Sequence, residues 1–279
     1  ACTELTEDAI RIPETYLKES ADSAETKLAA ANAFLNTPAR PSVSTLMEYV
    51  VSGLEDTAQV SGLFDTLLQR RLEDQEVSTV LAFAIQSCSD EVCIYLLKAM
   101  QETGQYVELS PRQLSAVLAR EQSTAAAKTE IMQQCMAFQV SEKTLDTVIS
   151  TYLCEQCDTP DARAELIPYL LTLMPSLSTR TIERYLLSCN LDQEKKPDVV
   201  KRIFSMDINV GFFRTTIEKY LASAVDSGKV RQEILYILTE KGLAMQEKAK
   251  DVPGHVAGCV DLGQEKALTL YSLLYELLE

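Results

Sequence analysis

The chain has no tryptophan, a single histidine (His255) and only nine glycines in 279 residues. Each scarcity removes a class of chemistry. One histidine gives a Ser–His–Asp or Cys–His arrangement a single candidate base, and it stands in the loop DVPGHVAGCVDLG (251–263). There is no H-E-x-x-H and no spaced acidic–histidine cluster for a catalytic metal. With glycine so sparse, neither G-x-G-x-x-G nor G-x-x-x-x-G-K occurs, and tight β-hairpins have little raw material. No apolar run approaches the roughly 18 residues that span a bilayer. Basic residues are also short, 26 Lys and Arg against 41 Asp and Glu, for a net charge of −15. That balance disfavours non-specific binding to a polyanion, DNA included. We therefore expect no enzyme, no cofactor, no metal and no membrane span.

What remains is helix. Leu, Ala, Glu, Gln and Lys are abundant, and 46% of the residues are hydrophobic, as in a folded globular chain. The apolar period predicts helices near 3–18, 23–36, 43–54, 58–71, 77–88, 90–103, 111–121 and 124–137. More follow near 141–155, 160–174, 178–189, 194–205, 210–225 and 229–246, with a last one in QEKALTLYSLLYELL. Ser89 or Asp90, Ser141 and Ser178 stand where N-caps belong.

One short phrase keeps returning. VSEKTLDTVI at 140–149 has looser copies in VSTLMEYVV, VSTVLAFAI, LSPRQLSAVL and LSTRTIERYLL. Aligning Leu46, Val80, Leu114, Leu145, Ile182 and Ile217 gives steps of 34, 34, 31, 37 and 35 residues. The breaker Pro41-Ser42-Val43-Ser44-Thr45 is echoed by Pro175-Ser176-Leu177-Ser178-Thr179. A unit of about 34 residues with two helices is the mark of a helical-repeat array. The expected fold is therefore all-α, a right-handed α-solenoid of about seven helix-turn-helix repeats. Residues 1–40 would be a divergent or capping pair, 41–248 the array, and 249–279 a loop and C-terminal capping helix.

CIYLLKAMQETG (93–104) and EILYILTEKGL (233–243) resemble the second helix and Gly turn of pentatricopeptide repeats, and VSEKTLDTVISTYL resembles their first helix. The near neighbours, tetratricopeptide repeats, carry a Trp signature absent here. The resemblance covers about 40–245. It implies a groove for single-stranded RNA, organellar location, and a polar residue early in each first helix that contacts a base. Those positions here are Ser44, Ser78, Arg112, Lys143, Arg180 and Thr215. Arg112, Lys143 and Arg180 depart from the Asn, Thr or Ser that the family prefers. The residues five places earlier, Ala39, Glu73, Val107, Phe138, Pro175 and Val210, include no Asp or Asn. The departures put a line of positive charge on successive first helices, which suits a phosphate backbone or the acidic residues of a protein partner.

The last helix carries an excess of apolar residues, with Leu270, Tyr271, Leu274, Tyr275 and Leu278 a surface for a partner helix. Cys88, Cys93, Cys135, Cys154 and Cys189 sit among apolar residues, as small hydrophobes in a reducing intracellular compartment do. Cys154 and Cys157 form the one close pair, and one His does not complete a four-ligand zinc site around them. The sequence opens at Ala1 without methionine, which fits either a removed mitochondrial or plastid presequence or a fragment. Two functions follow as expectations. The first is a non-catalytic scaffold or adaptor that binds proteins within a larger complex. The alternative is a pentatricopeptide-like RNA-binding protein of an organelle.

Overall fold

Helix starts in this chain are set by short polar side chains that satisfy the free N–H groups of the first turn. Ser42, Ser89, Ser110, Thr124, Ser141, Thr159 and Ser178 each accept a hydrogen bond from the backbone N–H three residues on. The computed structural model describes residues 7–37, 39–54, 56–155, 158–174, 176–188, 194–206, 213–223 and 225–250. Its helices are α1 (Glu7–Glu19), α2 (Ala24–Leu35), α3 (Val43–Tyr49), α4 (Thr57–Leu68), α5 (Asp74–Ser87), α6 (Asp90–Glu102) and α7 (Pro111–Leu118). They continue with α8 (Ala125–Cys135), α9 (Glu142–Cys154), α10 (Pro160–Leu170), α11 (Thr179–Leu187), α12 (Lys196–Ser205), α13 (Phe213–Ala222) and α14 (Gly228–Lys250). No strand occurs among the described residues, only one parallel bridge between the loop residues Glu108 and Gln139. The protein is all-α.

Two starts and stops differ from the sequence expectation for identifiable reasons. Helix α5 begins a turn early, because Glu73 and Glu76 form a reciprocal capping box that fixes its N-terminus there. Helix α3 ends at Tyr49, and the chain continues as a 3-10 turn at Val51–Gly53. At the end of α6 the expected Gly turn is present. Gly104 has φ +69, its N–H reaches Gln101 O at 3.0 Å, and the Gln105 N–H reaches Met100 O at 2.9 Å. That pairing closes the helix in a left-handed conformation that only Gly adopts cheaply.

The chain divides into two compact units, Ala1–Met174 and Pro175–Glu279. In the first, odd helices pack on odd and even on even. Helix α3 lies between α1 and α5, and α7 between α5 and α9; α4 lies between α2 and α6, and α8 between α6 and α10. Two leaves result, and the core lies between them. Leu46, Leu81 and Leu114 of the first leaf and Leu63, Leu96 and Ile131 of the second are fully buried. Each such side chain contributes about 1.5–3 kcal/mol. In the second unit α11 packs on α13 and α12 on α14, with Ile182, Tyr185, Val200 and Ile234 inside.

Loops between helix pairs are tied by side chains. The buried Gln105 accepts the Leu72 N–H at 3.0 Å and donates to Leu68 O and Arg70 O at 3.3 and 3.1 Å. One glutamine thereby satisfies the end of α4 and the chain leaving it.

Candidate interaction surface

The aligned polar–apolar pairs are third and fourth in α3, α7, α9 and α11, and fall later in α5 and α13. Leu46, Val80, Leu114, Leu145 and Ile182 are buried, and so are Thr45, Thr144, Thr181 and Thr216 beside their apolar neighbours. A buried hydroxyl needs a partner: Thr144 and Thr181 meet the N-cap serines of their own helices, Ser141 and Ser178, whereas Thr45 and Thr216 reach the neighbouring first helix. Thr45 Oγ1 donates to Glu14 of α1, and the Ser42 N–H reaches the same carboxylate at 2.5 Å. Burial pushes the Glu14 carboxyl up, but the hydrogen bonds from Thr45 and Ser42 outweigh it and hold it at about 2. In the second unit Thr216 Oγ1 lies 3.4 Å from Glu183 of α11, which also pairs with Lys219 at 2.6 Å.

One residue back stand the sequence candidates. Ser44, Arg112, Lys143 and Arg180 each occupy the second position of their helix and are exposed; Thr215, third in α13, is exposed as well. Ser78 departs from the row. The early start of α5 places it fifth in its helix and half-buried, so Gln75 holds the equivalent second position. Within the first unit, Ser44, Arg112 and Lys143 share one end of the first leaf; Arg180 and Thr215 share the matching end in the second unit. No hydrogen bond or ion pair engages the side chains of Arg112, Lys143 or Arg180 among the described residues. A cation in the first helical turn opposes the macrodipole by about 0.3–1 kcal/mol. These charges therefore do not stabilise the helices that carry them.

The cations that do stabilise the fold are others, which the sequence pattern passed over. Lys128, 1% exposed, donates to Leu118 O at 2.8 Å and to Asp158 at 2.6 Å, and Tyr152 donates to the same carboxylate at 3.2 Å. Lys196, fully buried, donates to Leu186 O at 2.8 Å, to Ser188 O at 3.1 Å and to the equally buried Asp226 at 2.7 Å. Tyr220 completes it with a hydrogen bond to Asp226 at 2.8 Å, and burial together with that bond pushes its phenol well up. Arg163 closes α9 the same way, donating to the carbonyls of Tyr152, Leu153 and Glu155 at 2.6, 3.0 and 2.9 Å. Each clamp satisfies carbonyls left open at the end of a first helix. A variant serves α5, where Arg120 reaches the carbonyls of Ile85 and Cys88 and pairs with Asp90 at 2.8 Å. The signal was available as Tyr-Leu-x-x-x-x-Asp-[Thr/Ser], found at Tyr152–Thr159 and Tyr220–Ser227 with a lysine thirty residues before each aspartate.

The second leaf carries its own ladder. Tyr95 donates to Asp65, Lys98 pairs with Glu130 at 3.2 Å, and Gln101 reaches Gln134 O at 3.0 Å. The hydrogen bond to Asp65 pushes the Tyr95 phenol up to about 12. Asp65, Tyr95, Lys98 and Glu102 line a shallow groove of about 300 Å³; a second, of about 120 Å³, lies over Val60, Phe83 and Cys88. Burial pushes the Cys88 thiol up to about 11 and the Cys93 thiol to about 12, the reverse of what a nucleophilic thiolate needs. Among the described residues no group of three or more His, Cys, Asp and Glu could hold a metal, and no helix is long and apolar enough to cross a membrane. The C-terminal surface of Leu270, Tyr271, Leu274, Tyr275 and Leu278 lies outside the described residues, as do Cys157 and His255.

Comparison with family models, curated proteins and solved structures gives no match for this chain.

Proposed function

We propose that the chain is a non-catalytic helical-repeat scaffold, built as one right-handed α-solenoid of about seven helix pairs, that binds protein partners as a subunit of a larger complex. Odd-on-odd and even-on-even packing, present in each unit, supports the array. The Thr–Glu contact and the carbonyl clamp also recur in both units. The observation that carries the function is the row of exposed side chains at the starts of the first helices. The buried Lys128, Arg163 and Lys196 are held by the stack, whereas Arg112, Lys143 and Arg180 are exposed cations that the fold does not use. On a chain of net charge −15 they are fitted to carboxylates of a partner.

The alternative is single-stranded RNA held by the same cations, as the pentatricopeptide resemblance implies. Phe138 weighs against a base-reading role. It stands where the family places a base-reading residue, yet it is 4% exposed and packs edge-on against Tyr106 at 5.9 Å. Fluorescence anisotropy with mixed-sequence single-stranded RNA at low and moderate salt separates the two. The scaffold reading expects no salt-dependent binding and no change when Arg112, Lys143 and Arg180 become Glu. Tight binding that weakens steeply with salt and is abolished by those substitutions would instead establish the RNA reading.

A further inference from the structure

The second leaf of the first unit carries charge of one sign. Its helices α4, α6, α8 and α10 hold three basic residues, and two of them, Lys128 and Arg163, are buried. The third, Lys98, is half-exposed and pairs with Glu130 of the next helix at 3.2 Å. Asp65, Glu91, Glu102, Glu130, Asp161 and Glu165 of the same helices are all exposed. A polyanion is repelled by such a face, and a basic partner is drawn to it.

One place on this face is shaped as well as charged. The groove of about 300 Å³ between α4 and α6 has Leu68, Ala99 and Tyr95 in its lining, with Asp65 and Glu102 as its carboxylates. Lys98 lines it too, but Glu130 already holds that ammonium. Tyr95 donates to Asp65. Its phenol is pushed up to about 12, first by that bond, then by burial and by the negative charges of Asp65 and Glu102. Both carboxylates therefore act on one tyrosine, and among the described residues neither makes an ion pair. A guanidinium suits this combination: it is planar, stacks on an aromatic face and forks to carboxylates.

We propose that this groove is a docking site for an arginine in a basic segment of a protein partner, its guanidinium lying on the Tyr95 ring and bonded to Asp65 and Glu102. The site does not rest on the cation row of the first helices, which takes the opposite charge. Fluorescence anisotropy of a fluorescein-labelled hexa-arginine peptide with the full chain, near 0.15 M ionic strength, tests it. Asp65→Asn with Glu102→Gln should weaken binding by about tenfold. Tyr95→Leu leaves the charge alone and should weaken it by about threefold, whereas Tyr95→Phe keeps the ring and should keep the affinity. Glu91→Gln with Asp161→Asn removes the same charge outside the groove and should change binding by less than about twofold. A hexa-lysine peptide should bind more weakly, because an ammonium does not fork to two carboxylates. All five side chains are exposed or half-buried, and circular dichroism checks the fold of each variant. Equal losses from the two carboxylate pairs, an unchanged affinity for Tyr95→Leu, hexa-lysine bound as tightly as hexa-arginine, or no binding by the native chain overturns the proposal.

Discussion

Replacing Lys196 by Met should be among the most damaging single changes in the chain. Its ammonium has 0% exposure and, among the described residues, reaches Leu186 O, Ser188 O and Asp226, itself at 0%. The methionine fills similar space but supplies no donor. Two carbonyls at the end of α11 lose their partner, and Asp226, which already has one oxygen without a hydrogen bond, stays buried as a lone charge. Removing one partner from a buried pair costs about 3–5 kcal/mol. For a urea slope near 2 kcal/mol per M, the midpoint should fall by about 1.5–2.5 M. Because the chain divides into two compact units, the reading is best made locally, as amide exchange over 179–188 and 213–223. Lys98→Ala serves as the control, since its pair with Glu130 is half-exposed on both sides and worth less than about 1 kcal/mol. Lys196→Met combined with Asp226→Leu should recover most of the loss, because a buried pair replaced by apolar groups is often neutral. A cost for Lys196→Met no larger than the control, or a double variant as unstable as the single, would refute the reasoning.

Further outcomes follow from the same geometry. Glu14 has its carboxyl lowered from 4.5 to about 2, so its contribution is present above 4.5 and lost as pH falls toward 2. Glu14→Gln should therefore flatten acid unfolding across that window, seen by circular dichroism. Arg112→Glu and Lys143→Glu should leave stability unchanged or raise it by up to about 1 kcal/mol each, since a carboxylate in the first turn suits the dipole, while partner binding weakens. Native Cys93, with its thiol pushed up to about 12 by burial, should resist a thiol reagent at pH 8 that labels it at once in urea.

The helices were legible because their signals are local. Apolar spacing of three and four, a Ser or Thr before it, and the Gly after α6 suffice to place them, and each of the fourteen helices from α1 to α14 has its sequence counterpart. The start of α5 was missed because Glu73 and Glu76 cap one another, which a search for Ser or Thr overlooks. The clamps were missed for a different reason. Lys128, Arg163 and Lys196 look like ordinary helix-surface charges. Only the packed helices show that each one faces the open carbonyls of the helix before it, and that Lys128 and Lys196 also reach an aspartate thirty residues away. Conversely, Arg112 and Lys143 were recognisable at once, because exposure needs no partner.

Size-exclusion chromatography with multi-angle light scattering on the native protein drawn from its source cells, before and after ribonuclease treatment, tests the central claim most directly. The account predicts a particle well above the 31.0 kDa of the chain, with stoichiometric protein partners, unchanged by the nuclease and dispersed when Arg112, Lys143 and Arg180 become Glu. A particle no heavier than a single copy of the protein, or one that collapses on ribonuclease treatment, would contradict it.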